Sequence, residues 1–492
     1  MDSLVFLCVH EVVTQRPLPD IPPHLYPVIF ELTFLAGILP VLQDLVATWP
    51  FPVLKFQRPV GQWEDLWVDR CCDCIQAIIQ AVVDQLRREL EEPGSDSSGC
   101  RLRMLDMTGI PDDADSRRIW SCTEVLAKAC VEVSKHQQEF QRHRTSGHTG
   151  VSGAMTAAAS PQLRGVDVHA DVVVDGTSYQ ILHDALQTGA AGPLRLKCRE
   201  LQALCLSASQ IVTLLESLDP SWLHRVNLYF INLGLTELSV ILPHLTRFPE
   251  LRSLKLWNIT MDVQHPTPES ANRLRCVARQ LGMLPSLQEL NLRSARLPGN
   301  LCHILCDLQA PLESLNLGYC SLIPDDLTFL SQSIHAPALK SLDLSGLNVS
   351  QGLLEQLQLL LEKASASLLY LDLSYCHIAD SHLAVLLPTL LCCSRLRFLG
   401  LEGNPLSTAA IKDLLQKTLE LPNLHLVVYP VPLDCHTLDP SEFDSDFFYE
   451  SVDEELFLAA KAEIFQLLEN SGRTDLVWTD KLESLEDLDD SL

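Results

Sequence analysis

In the second half of the chain, short bursts alternate leucine with polar residues, and each burst is followed by a longer stretch with helical spacing. Set at their first leucine, the bursts "LHRVNLYFINL", "LRSLKLWNITM", "LQELNLRSARL", "LESLNLGYCSL", "LKSLDLSGLNV", "LLYLDLSYCHI" and "LRFLGLEGNPL" begin at Leu223, Leu251, Leu287, Leu312, Leu339, Leu368 and Leu396. The steps between them are 28, 36, 25, 27, 29 and 28 residues. Each burst fits LxxLxLxx(N/C)xL, a leucine-rich repeat in which the fourth and sixth positions of a short parallel strand enter the core. The ninth position, which ties the descending turn, is kept at Cys320, Cys376 and Asn404. Ile231, Ile259, Ala295 and Leu347 replace it elsewhere, which predicts irregular turns there.

Between the strands, Leu238, Ile241, Leu242 and Leu245 fall at i, i+3, i+4 and i+7, and Ile411, Leu414, Leu415 and Leu419 do much the same. One α-helix per repeat follows. Pro243 and Pro388 sit inside such stretches and predict helices that start late or kink. The expected fold is therefore α/β: a leucine-rich repeat solenoid over residues 164–430, a ribonuclease-inhibitor-like horseshoe with a parallel sheet on its concave face.

An array of this kind must be sealed at both ends. "GVDVHADVVVDG" and "PLRLKCRELQAL" read as degenerate first repeats, and "NLHLVVYPVPL" as the last strand. Residues 431–492 read as an acidic tail with a capping helix. Ser451 and Glu454 would form its capping box, Leu456, Ile464, Leu467 and Leu468 its apolar side, and Asn470-Ser471-Gly472 its stop. "DKLESLEDLDDSL" reads as a solvated acidic end.

Ahead of the repeats the chain reads as helical pieces. Polar breaks at 91–100 and at 144–163, the second a flexible linker, leave a helical docking region at 1–62 and a helical segment at 63–143. Apolar spacing through Ile75, Ile78, Ile79, Val82, Val83 and Leu86 predicts a helix over 65–90, and Val125, Leu126, Cys130 and Val133 another over 119–141.

Composition narrows the partners. With 47% hydrophobic residues the chain can bury a large core, and its formal charge of -27 argues against a phosphate backbone or an anionic membrane as the main partner. Protein partners are expected. Seventeen cysteines, scattered without a disulfide framework, point to reduced thiols in cytoplasm or nucleus. The opening segment lacks the basic region and cleavage site of a signal peptide, and "LAVLLPTLLCC" falls short of the ~20 residues of a membrane helix.

No phosphate-binding loop, HExxH or GxSxG occurs, so no catalytic residue, cofactor or enzymatic activity is expected. Cys71-Cys72-Asp73-Cys74 lacks a second spaced pair, and adjacent helical cysteines point about 100° apart, so a metal is not expected either. The LxxLL-like leucines Leu357-Leu360-Leu361 and Leu383-Leu386-Leu387 lie on repeat helices, where the core requires them.

Two short motifs lie near the start. "SLVFLCVHEV" matches the elongin-binding box (S/T)LxxxCxxx(A/I/L/V) at Ser3, Leu4, Cys8 and Val12, residues that a helix would line up in one narrow stripe. "IPPHLYPVI" fits the cullin-2 box through Ile21, Pro22, Leu25 and Ile29, whereas the cullin-5 form would need an apolar residue where Asp20 stands. The bland alternative is an N-terminal helix packing on the body. Elongin B/C and cullin-2 are the partners these motifs suggest, together with a protein target.

The concave face is where a target would bind. Its outward seventh positions hold Tyr229, Trp257 and Arg293 in the early repeats, then Gly318, Ser345 and Ser374. Aromatics and arginine dominate binding hot spots, so the early repeats are the candidate patch. Asp343 and Asp372 are expected to add an acidic strip beside it.

"IPPHLYPVIFELTF", "LVATWPFPVLKF", "LRMLDMTGIPDD" and "WSCTEVLAKAC" resemble the front of the PRAME family, and "AEIFQLLENSGRTDLVW" is similar to the tail of one of its branches. The resemblance implies a leucine-rich repeat substrate receptor of a cullin-2 RING ubiquitin ligase, docked through elongin B/C.

Overall fold

The computed structural model describes residues 18–56, 64–91, 100–110, 122–146, 165–189, 192–229, 234–257, 268–349, 351–437 and 452–480. They form two compact units, one up to Asn227 and one from Leu228.

In the first unit, helices α1 (Tyr26–Ala36) and α2 (Leu39–Ala47) precede strand β1 (Val53–Lys55). Gly37, with φ of 68°, ends α1 in the left-handed conformation that a side chain disfavours. Helix α3 (Glu64–Glu91), β2 (Met104–Met107), α4 (Cys122–Ser146), β3 (Val166–Val174), α5 (Tyr179–Gly189), β4 (Leu194–Leu204) and α6 (Ala208–Ser217) follow. Strands β1 to β4 pair in parallel and in chain order.

Thus the front is not purely helical. Two short strands interrupt the regions expected as 1–62 and 63–143, and Leu102, Leu105 and Met107 fill the LxxLxL positions of a repeat around β2. Helices expected over 65–90 and 119–141 are found as α3 and α4, with residues 119–121 of the second outside the described residues. They meet in one core, where Ile75, Ile78, Val82 and Leu86 pack with Leu126, Cys130 and Val133 beneath Leu54, Leu105 and Val168. Edge-on ring contacts close its front, with Trp49 centred 5.8 Å from Tyr26 and 5.6 Å from Phe30. The stretch expected as a linker begins inside α4, and its residues 147–163 lie outside the described residues.

Strand β5 (Arg225–Tyr229) precedes α7 (Leu235–Leu245), β6 (Ser253–Leu256), α8 (Pro268–Leu281), β7 (Glu289–Asn291), α9 (Leu301–Leu305), β8 (Ser314–Asn316) and α10 (Pro324–Gln332). Then come β9 (Ser341–Asp343), α11 (Gln351–Ala364), β10 (Tyr370–Asp372), α12 (Asp380–Cys392), β11 (Phe398–Gly400), α13 (Thr408–Thr418), β12 (Leu426–Val428), α14 (Glu454–Ser471) and β13 (Val477–Thr479). In the second unit β6 to β13 form a parallel sheet in chain order, with Leu254, Leu290, Leu315, Leu342, Leu371 and Leu399 in register. All six are buried, each contributing about 1.5–3 kcal/mol against an exposed position.

The ninth-position ties are present. Asn404 donates through Nδ2 to the carbonyls of Leu373 and Leu401, both at 2.8 Å, and accepts from the amides of Cys376 and Ile378 at 3.1 and 2.9 Å. The Sγ atoms of Cys320 and Cys376 lie 2.9 and 3.2 Å from the carbonyls of Leu292 and Leu344, one repeat back.

Three expectations need correction. Helices α7 and α12 run through Pro243 and Pro388, so of the two outcomes expected at these prolines the late start does not occur. The strand in "NLHLVVYPVPL" is not the last, because β13 pairs with it. The final helix is capped by Asp453, whose carboxylate accepts from the amides of Glu455 and Leu456, while Ser451 lies outside the described residues. Gly472, at φ of 74°, ends it as expected.

Candidate functional site

Along each strand of the second unit, alternate side chains point away from the helices, giving three outward rows. The seventh-position row begins with Tyr229 and Trp257, whose rings stack with centroids 5.0 Å apart and planes 22° from parallel. Both are half-buried and present a flat aromatic shelf.

Arg293 comes next. Its Nη1 donates to Oδ2 of Asp343 at 3.1 Å and to Oγ of Ser345 at 3.0 Å, and its guanidinium lies 4.8 Å from the ring centre of Tyr319. Held by a carboxylate, a hydroxyl and a ring, the guanidinium has lost much of its freedom before any partner arrives. An ion pair between Lys255 and Glu289, at 3.2 Å, lies on the preceding strands.

The acidic strip does not stand exposed. Asp343 and Asp372 are register partners on β9 and β10 and retain only 7% and 5% of their accessible surface. Asp343 accepts from Asn316 Nδ2 at 2.6 Å and from the Ser345 amide at 2.8 Å as well as from Arg293. Asp372 accepts from the Ser374 amide at 2.8 Å. Burial, helped by the neighbouring Asp343 carboxylate, pushes the Asp372 carboxyl up to about 6. These aspartates hold the surface together and offer little of themselves to a partner.

The two N-terminal motifs fare differently. Ser3, Leu4, Cys8 and Val12 lie outside the described residues. Of the cullin-box residues, Pro22 and Leu25 are exposed, Ile21 is half-buried against the first unit's core, and Ile29 is buried within it. The box therefore does not form one outward stripe, because Ile29 turns inward to the core beside Phe30. Val28, which sequence reasoning did not single out, is exposed beside Leu25. Spacing from the buried Ile29 and Phe30 would have found it.

Sequence reasoning also passed over a cavity of about 260 Å³ beside α1 and β1, lined by Phe30, Phe34, Trp49, Phe51 and Phe56. Among the described residues, no cluster of metal-ligating side chains occurs and no helix is long and apolar enough to cross a membrane. Burial raises the Cys320 thiol to about 12 and leaves it without nucleophilic character.

Short parallel strands with leucines in register, a helix per turn, and Asn or Cys ties at the descending corner define an α/β leucine-rich repeat solenoid. Residues 187–473 match the PRAME C-terminal domain, and the chain belongs to the PRAME family. Leucine-rich repeat-containing protein 14 of Xenopus laevis is 41% identical to it, over 97% of each chain. The human protein of that name is 39% identical over 97% of each, and human PRAME family member 12 is 29% identical over 85% of this chain and 81% of its own. Membership makes the chain a leucine-rich repeat protein-binding scaffold.

Proposed function

We propose that the protein is a substrate-recognition adaptor of a cullin-2 RING ubiquitin ligase, working in the cytoplasm or nucleus. Ser3, Leu4, Cys8 and Val12 hold elongin B/C, and the outer residues of the cullin box, Pro22 and Leu25, meet cullin-2. The outward rows of the repeats, led by Tyr229, Trp257 and Arg293, hold the target. Ubiquitin chemistry comes from the other subunits, and the chain contributes no catalytic group. The observation that most supports the reading is the exposed pair Leu25 and Val28 at the start of α1, in the cullin-box stretch, while Ile29 anchors the same turn in the core. A helix fixed on one side presents a preformed apolar row on the other.

The second reading is a stand-alone scaffold that sequesters a signalling protein. The burial of Ile29, which spends one box residue on the chain's own core, favours it. Capture of purified elongin B/C and cullin-2 separates the two. Burying one leucine is worth ~1.5–3 kcal/mol, so Leu4→Ala should weaken elongin binding roughly ten-fold to a hundred-fold with the fold unchanged. Failure of the wild-type chain to recover elongin B/C at micromolar concentration would sink the adaptor reading and leave the scaffold.

A further inference from the structure

Helix α14, the last among the described residues, carries an apolar stripe on the wrong side for its own core. Helix α14 packs inward through Ala460 and Ile464 and turns Leu458, Ala462 and Phe465 outward, at i, i+4 and i+7. Leu458 is 65% exposed and Phe465 46%. The terminal turn of a solenoid needs a polar outer face to stay soluble. A stripe at this spacing is instead the pattern by which one helix lies along another.

The charges around the stripe choose among occupants. Glu454 and Glu455 frame it at one end and Glu469 at the other, all exposed. The remaining charged side chains of the helix are engaged, Lys461 with Asp480 and Glu463 with Lys412, each at 2.7 Å. The face on offer is apolar with a uniformly negative frame. A second copy would set the same glutamates against themselves. The chain's own residues 481–492 carry five acidic residues and one lysine, and would be repelled likewise.

We infer that the outward face of α14 docks an amphipathic helix of a partner protein, one whose apolar row is flanked by lysine or arginine. Leu458 and Phe465 receive the apolar row across the small Ala462, and the glutamates set orientation and speed the encounter. This surface is independent of the elongin and cullin motifs and stands whether or not the adaptor reading does.

The probe is a fluorescent designed helix with leucines at i, i+4 and i+7 flanked by lysines, titrated into the full-length chain and followed by anisotropy. A scrambled peptide of the same composition controls for attraction to an acidic protein. The expected result is binding that Phe465→Asp weakens about ten-fold or more, with circular dichroism unchanged. Replacing Glu454, Glu455 and Glu469 together by Gln should remove most of its salt dependence. Equal binding of the scrambled peptide, or indifference to Phe465→Asp, overturns the inference. So does a dimer that Phe465→Asp dissolves, which would make a second copy the occupant. A ten-fold gain in affinity from Leu482→Ser with Leu485→Ser would do the same, since the chain's own end would then be the occupant.

Discussion

Nη1 of Arg293 reaches Oδ2 of Asp343 at 3.1 Å although strand β8 runs between them. The passage exists because Gly318 has no side chain. A Cβ there would stand 2.6 Å from Ser345 Oγ and 3.0 Å from Arg293 Nη1. Gly318→Ala is expected to cost about 1–3 kcal/mol in urea unfolding and to free Arg293 from Ser345. An unchanged midpoint would mean that the bridge is incidental.

Asp372 makes stability depend on pH in an unusual sense. Burial holds its carboxyl up at about 6 in the folded chain, above the ordinary aspartate value of 3.8. The folded state therefore keeps a proton that the unfolded state has lost. This contribution is complete below the unfolded value and lost as pH rises through the folded one. Asp372→Asn should be more stable than wild type at pH 7.5 by up to about 3 kcal/mol, with the gap closing towards pH 4. Parallel stability curves for the two chains would contradict this.

Asn404 satisfies four backbone groups from a fully buried position. Asn404→Ala strands them without water and should cost about 3 kcal/mol or more, with hydrogen exchange rising first at the Cys376 and Ile378 amides. Exchange confined to other repeats would argue that the ties are redundant.

Leu25 and Ile29 lie one turn apart and separate docking from folding. Leu25, 40% exposed, should tolerate Leu25→Asp with a melting temperature close to wild type while losing capture of cullin-2. Ile29→Asp places an unpaired charge in the core and should unfold the first unit. If Leu25→Asp captures cullin-2 as wild type does, the cullin-box assignment fails.

The repeats were legible because a buried strand one residue wide in the core still needs its leucines at fixed offsets, and seven copies reinforce one another. Strands β1 and β2 were missed because three or four residues flanked by long helices show no alternation of their own. At β2 the pattern was present, with Met107 in the place of the third leucine. An outward position on a strand is not thereby an exposed one. Asp343 is sheltered because Arg293, from the far side of β8, and Asn316 both reach it, contacts between side chains about two repeats and one repeat apart in sequence. No local spacing announces such a contact. Ile29 was misjudged for a related reason, since a motif scored by residue type cannot say which side of a helix the core will claim.

The acidic end of the chain invites removal by anyone seeking a smaller, tidier protein. Arg473 stands against it: its guanidinium closes the carbonyls of Leu419, Leu421 and Leu424 at 2.8–3.0 Å, just past α13, and on β13 Trp478 is buried beside Tyr429. A fragment cut at residue 430 would leave those carbonyls open and the edge of β12 bare, a template for sheet-to-sheet association. Its fate would be precipitation, and a failed binding assay on such a fragment would report on the cut rather than on the partner.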